Sequence, residues 1–172
     1  MYCSEPKRAI YAGTFDPPTN GHLWVISEIS QLFEELVVAI GTNPDKTFAY
    51  SLQERIEMLE CITQEYPNTT IKTFENMYLV EFAHQLRAKY IIRGIRSASD
   101  YEYERNMRYI NSDIHPDIST LFVFPPREYS EVSSTLVKGL VGFENWENII
   151  KRYVPESVCQ IMIKKFNSNE NH

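Results

Sequence analysis

The chain has 172 residues, 43% of them hydrophobic, with a formal net charge of −6. That length suits one domain burying about 70% of its unfolded surface, and the acidic balance excludes a general binder of nucleic acid or anionic membrane, which needs a basic face. No apolar run approaches the roughly 20 residues of a membrane span, and Glu5, Lys7 and Arg8 do not open a secretory signal.

Strand and helix signals alternate along the chain. Lys7 to Gly13 reads as a first strand. Gly21 to Phe33 reads as a helix, because Val25, Ile26, Ile29, Leu32 and Phe33 recur at helical spacing, with Thr19 at its N-cap. Leu36 to Ile40 is a continuous apolar run, the mark of a strand covered on both faces, and a loop from Gly41 to Tyr50 follows. Ser51 and Glu54 form a capping box, and Leu52, Ile56, Leu59 and Ile62 give the buried stripe of the next helix.

Thr69 to Phe74 is a third strand, and Tyr78 to Ala88 a short helix with Leu79, Phe82 and Leu86 on one side. Tyr90 to Ile92 is a fourth strand ending in Arg93-Gly94-Ile95-Arg96. Ser99 and Glu102 read as a capping box for a helix through Ile110. Leu121 to Phe124 is a fifth strand, closed by Pro125-Pro126. Ser133-Ser134-Thr135 opens a helix containing Leu136, Val137 and Leu140. Pro155 sits at the N1 position of a last helix carrying Val158, Ile161, Met162 and Phe166. Residues 1–166 are expected to be one domain and residues 167–172 a frayed polar tail.

Five strands alternating with helices mean an α/β fold with an open parallel sheet. Ligands in such sheets lie beyond the carboxyl ends of the strands, where the strand order reverses. Gly13-Thr14 with His22, the Thr42–Lys46 loop, Arg93 to Arg96, and Pro125 to Thr135 should therefore share one cleft. Cys3, Cys61 and Cys159 are odd in number, widely spaced and in no C-x-x-C arrangement, which fits free thiols in a reducing cytoplasm and not a zinc site.

The chemistry in that list points to phosphate. A strand, a glycine turn and a helix start leave unpaired N–H groups and the positive end of a helix dipole facing outward. The chain has neither G-x-x-x-x-G-K-[ST] nor G-x-G-x-x-G. In their place stand Gly13-Thr14-Phe15-Asp16-Pro17 and Thr19-Asn20-Gly21-His22. Arg93 and Arg96 offer guanidinium forks matched to phosphate oxygens, and Lys46 a mobile cation. The turn Tyr129-Ser130-Glu131-Val132-Ser133-Ser134-Thr135 supplies hydroxyls and amides, which could equally be ordinary N-capping groups. Glu104 taken alone reads as a solvated carboxylate paired with Arg108. Asp16 is left between holding the turn and touching a metal-bound water.

The Thr19-Asn20-Gly21-His22 string resembles the nucleotidylyltransferase superfamily. The wider set resembles the bacterial phosphopantetheine adenylyltransferases from about Lys7 to Phe166. It adds Leu52 to Arg55, Ile92 to Arg96, Asp100-Tyr101-Glu102-Tyr103-Glu104, Glu128 to Thr135 and Val137-Lys138. The resemblance implies a Rossmann-like nucleotidylyltransferase fold with helices on both faces of the sheet. It implies reversible transfer of AMP from ATP to 4′-phosphopantetheine, giving dephospho-coenzyme A and pyrophosphate, the penultimate step of coenzyme A synthesis.

Attack would be in line, without a covalent intermediate, and with Mg²⁺ held by the ATP phosphates rather than by protein side chains. His22, Lys46 and Arg93 would be catalytic. Thr14, Lys46, Leu79 and Arg93 would hold phosphopantetheine, although Asn76-Met77-Tyr78 departs from the family pattern beside Leu79. Thr14, Phe15, His22, Gly94, Ile95, Arg96, Glu104, Tyr129, Ser130, Glu131, Val132, Ser133, Ser134 and Thr135 would hold ATP. A cytoplasmic hexamer built from two trimers, with coenzyme A as a feedback ligand, is also implied. Two alternatives stand beside this reading: another small-molecule nucleotidylyltransferase of the superfamily, and a nucleotide sensor without turnover.

Overall fold

A computed structural model describes residues 6–42 and 47–170. Five parallel strands lie in the order β3-β2-β1-β4-β5: β1 (Arg8–Gly13), β2 (Glu35–Thr42), β3 (Thr69–Glu75), β4 (Tyr90–Gly94) and β5 (Ser119–Val123). The chain starts in the middle, at β1, winds outward to β3, then returns to β1's other side for β4 and β5. The order reverses between β1 and β4, and ligand clefts open at such a point.

The central strands β1 and β2 read as unbroken apolar runs because both faces are covered. Tyr11, Leu36, Val38, Ile40 and Ile92 face α1 (Asn20–Ser30), α2 (Leu52–Thr63) and α8 (Glu156–Glu170). Ile10, Val37, Ala39 and Ile91 alternate to the opposite face, against Val80, Phe82 and Ala83 of α3 (Leu79–Gln85). Ile10, Ile40, Ile91 and Ile92 are fully buried, each stabilising the fold by about 2 kcal/mol.

Several helix boundaries differ from the periodicity reading, each for a local reason. α1 stops at Ser30 because Asn68 Nδ2 takes the Ser30 and Phe33 carbonyls (2.7 and 2.9 Å) and the Glu34 N–H goes to Lys7 O (3.1 Å). Leu32 is therefore a surface residue, 63% exposed. In α2 the capping box is present, but Leu52 is exposed at its first turn, and the buried stripe is Arg55, Met58, Leu59 and Ile62. α3 ends at Gln85, short of Ala88, because Arg87 adopts a left-handed conformation (φ 54°) that only a glycine would have signalled.

α4 runs from Ala98 to Ile114, past the expected end at Ile110. Its cap is Ser97, whose Oγ accepts from Asp100 N (3.1 Å), so Ser99 and Glu102 do not form the capping box. α5 (Arg127–Ser130), α6 (Ser134–Leu140) and α7 (Trp146–Ile150) are short. α5 and α7, at four and five residues, leave no periodicity to read. Pro155 is the cap of α8 and not its N1 residue, since its carbonyl accepts from Cys159 N (2.9 Å), and α8 continues through Glu170 into the stretch expected to fray.

Candidate active site

At the carboxyl ends of β1 and β4 a cavity of about 510 Å³ opens. β1 contributes Tyr11 to Gly13, α1 Gly21, His22 and Val25, β4 Arg93 and Gly94, and the turn into α6 Val132 to Thr135. His22 and Arg93 thus face one space, as the strand-end rule requires.

The loop between β1 and α1 is fixed from below. Asp16, 2% exposed, accepts from Ala49 N (3.1 Å), Tyr50 N (2.8 Å) and Lys138 Nζ (2.8 Å). Both oxygens are engaged, and through them Asp16 holds the turn. Arg55, also buried, donates from Nη1 to Thr14 O (2.9 Å) and lies 4.2 Å over the Phe48 ring. Ser134 Oγ donates to Pro17 O (2.8 Å), tying the loop to α6.

His22 is held by the helix start it belongs to. Its Nδ1 accepts from Thr19 N at 2.9 Å and lies 2.9 Å from Thr19 Oγ1. The imidazole occupies the position that a glutamate takes in an ordinary capping box. Because a backbone N–H can only donate, Nδ1 is the acceptor, and the neutral ring keeps its proton on Nε2. Burial, aided by the charge of Arg96, pulls the pKa down to about 4. The ring packs edge-on against Phe15, 5.1 Å between centroids. At neutral pH His22 is an uncharged hydrogen-bond donor in fixed orientation.

The arginines are arranged differently from the sequence expectation. Glu104 is not a solvated partner of Arg108. It is buried, accepts from Arg93 Nε at 2.7 Å and binds Arg93 Nη2 through its other oxygen. Arg93 Nη1 donates to Ala12 O (2.8 Å). Burial alone would lower the Arg93 pKa, but Glu104 outweighs it and raises it. Three of five guanidinium hydrogens are engaged, and two are left for a ligand. Arg96 donates from N and Nε to Asp100 Oδ2 (3.2 and 3.0 Å) and reaches Val132 O at 3.3 Å.

Thr14, His22, Leu79, Arg93, Gly94, Arg96, Glu104, Tyr129, Val132, Ser133, Ser134 and Thr135 all line the cavity. Four other expected residues do not. The Phe15 and Ile95 side chains are buried, Ile95 N donates to Val123 O (2.9 Å), and neither Ser130 nor Glu131 lines the space. Lys46 lies outside the described residues. Glu104 was expected to line the cavity, but the rest of the inner face of α4 was not: Asp100, Tyr103, Met107, Arg108 and Asn111 also line it. Their three- and four-residue spacing was present in the sequence, but a stripe that is mostly polar does not register in an apolar pattern.

The family model for cytidylyltransferase-like proteins matches residues 10–140. The phosphopantetheine adenylyltransferase of Chromobacterium violaceum is 57% identical over 160 residues, covering 93% of this chain and 98% of that protein. This chain belongs to the phosphopantetheine adenylyltransferase family. The Neisseria meningitidis serogroup C enzyme of that family is 58% identical over 93% of this chain and 94% of its own length. The Clostridium tetani member is 39% identical over 93% and 98%. The Plasmodium falciparum nicotinic acid mononucleotide adenylyltransferase complexed with NaAD is similar in fold, with a TM-score of 0.69 at 19% identity over 92% of this chain and 95% of that one. The chain is thus a nucleotidyltransferase, and the reaction expected from its motifs is the reaction of the phosphopantetheine adenylyltransferases. None of the described helices is long and apolar enough to cross a membrane.

Proposed function

We propose that this cleft performs the transfer by positioning alone, with the residues in the following roles. A phosphate oxygen of 4′-phosphopantetheine attacks the α-phosphorus of ATP. One P–O bond forms, the α–β bridging bond breaks, and pyrophosphate leaves. His22 donates from Nε2–H to the α-phosphate, where negative charge grows in the transition state. Arg93, through its two remaining hydrogens, holds the acceptor phosphate with Thr14 and Lys46, and Leu79 packs on the pantetheine arm. Gly94, Arg96, Glu104 and the turn through Tyr129 and Val132 to Thr135 bound the ATP side. Phe15 acts by supporting His22, and the Ile95, Ser130 and Glu131 side chains lie outside the cavity lining.

The carboxylates near this site are engaged by protein groups, which favours Mg²⁺ entering with the substrate. Glu104 is committed to Arg93, Asp100 to Arg96 and Asp16 to two amides and Lys138. The ion would be held by the ATP phosphate oxygens, and there it would supply neutralisation of the leaving pyrophosphate's charge. The reading is carried above all by His22 of α1 and Arg93 of β4 opening into one cavity. Release of pyrophosphate from ATP tests it with three acceptor conditions: phosphopantetheine, nicotinate mononucleotide, and none. Release is expected only with phosphopantetheine. Release with nicotinate mononucleotide alone would assign the sister activity, and none with either acceptor a sensor.

Assembly into a hexamer belongs to the same proposal. It is supported by Tyr109, Ile110 and Phe124, which lie exposed on α4 and just beyond β5, and light scattering measures it. The free thiols of Cys61 and Cys159 support a cytoplasmic location. Coenzyme A as a feedback ligand would compete in the same cleft, and its effect on the pyrophosphate assay tests that.

A further inference from the structure

We propose that the end of α3 and the turn between α4 and β5 form a structural site for a borderline divalent transition ion such as Zn²⁺, held by His84, His115 and Asp117. One potential donor atom from each of the three lies within 4.8 Å of the others. Bonds of about 2.0–2.2 Å set tetrahedral donors roughly 3.3–3.5 Å apart, so small side-chain rotations close the set. His84 and Asp117 are exposed, with solvent on one side into which they can turn.

Two further observations single this cluster out. The imidazoles of His84 and His115 are stacked, 4.1 Å between centroids and 13° from parallel, which brings two potential ligand rings side by side. His115 Nε2 is closed off from solvent and has no hydrogen-bond partner among the described residues, although Glu81 Oε2 is 3.3 Å away. A buried ring nitrogen with an unused lone pair or proton is costly unless something binds it, and a metal ion would. Glu81 then stands as the fourth donor. Two imidazoles with carboxylates favour zinc, nickel or copper over magnesium or calcium. Lys89 Nζ holds Asp117 Oδ2 at 2.6 Å, leaving Oδ1 for the ion and orienting the carboxylate from behind.

The site lies at the opposite edge of the sheet from the active-site cleft. α3 runs back from the carboxyl end of β3 to the start of β4, and α4 from the carboxyl end of β4 to the start of β5. The ion therefore ties two crossover helices together and takes no part in the transfer. It binds the folded chain alone, so it raises the melting temperature with its concentration.

The test uses the full chain, stripped with a chelator and dialysed against Zn²⁺, with bound metal counted and Co²⁺ used as a spectroscopic probe. One ion per chain is expected, with the visible bands of tetrahedral cobalt and a metal-dependent rise in melting temperature. His84→Asn, at an exposed position that keeps the fold, and Asp117→Asn should each weaken binding at least ~10-fold. His22→Asn, which removes the cleft histidine, should leave it unchanged. Absence of binding, binding undiminished in His84→Asn, or binding lost in His22→Asn would each overturn the assignment.

Discussion

The pairing of Arg93 with Glu104 makes a quantitative prediction. Glu104 is buried and takes two of the three protein bonds that Arg93 makes. Removing the carboxylate leaves a largely enclosed guanidinium held only by Ala12 O, which costs about 3 kcal/mol of stability and frees the fork from its orientation. Glu104→Ala should therefore lose the same phosphate positioning as Arg93→Ala, each about 10²–10³ in kcat/KM for phosphopantetheine. If the two residues act as one unit, the double variant should lose at most about tenfold more than the worse single. Independent action would multiply the losses to about 10⁴ or beyond. The coupling energy should then be at least about 1.4 kcal/mol. Pyrophosphate release at saturating ATP with varied phosphopantetheine measures all four proteins, and circular dichroism checks their folds. Losses that simply multiply would refute the reasoning, because Glu104 would then act on a group other than Arg93.

His22→Ala should lower kcat about 10²–10³-fold, since a preorganised donor is removed; turnover within threefold of the parent in the pyrophosphate assay would remove His22 from the chemistry. Because its pKa is held down to about 4 in the fold, the pH profile of kcat/KM should show no ionisation of this residue near 6.5. The sign for stability follows: below pH 6.5 the unfolded chain takes a proton that the folded one refuses until about pH 4, so stability is lost as pH falls across that window, by up to about 3 kcal/mol. Urea titrations of the parent and His22→Gln at pH 7.5 and 4.5 should differ by most of that amount; parallel losses in both would contradict it. Asp16→Ala strands two amides and Lys138 and should cost about 3 kcal/mol, lowering the melting temperature by about 6–12 °C; a shift under ~2 °C would show that the loop does not depend on Asp16.

The sequence carried the sheet because its central strands are buried on both faces, and short, β-branched apolar runs such as Leu36 to Ile40 suit that setting. It carried the cleft because the strand-end rule needs only element order, which the runs supply. What it could not carry were features decided by single distant bonds. Asn68, 38 residues from Ser30, ends α1, and Lys138, 122 residues from Asp16, settles that residue's role. The inner face of α4 was hidden for another reason: Glu104 is buried because Arg93 neutralises it, and no local pattern announces a partner on another element.

The double duty of His22 has a practical consequence. Its Nδ1 closes the first turn of α1 in the manner of a glutamate or glutamine side chain, so the proposed phosphate donor and the helix cap are one residue. A glutamate substituted there would satisfy the turn and withhold the hydrogen-bond donor. A library sorted for expression alone would fill with such folded chains that turn over slowly.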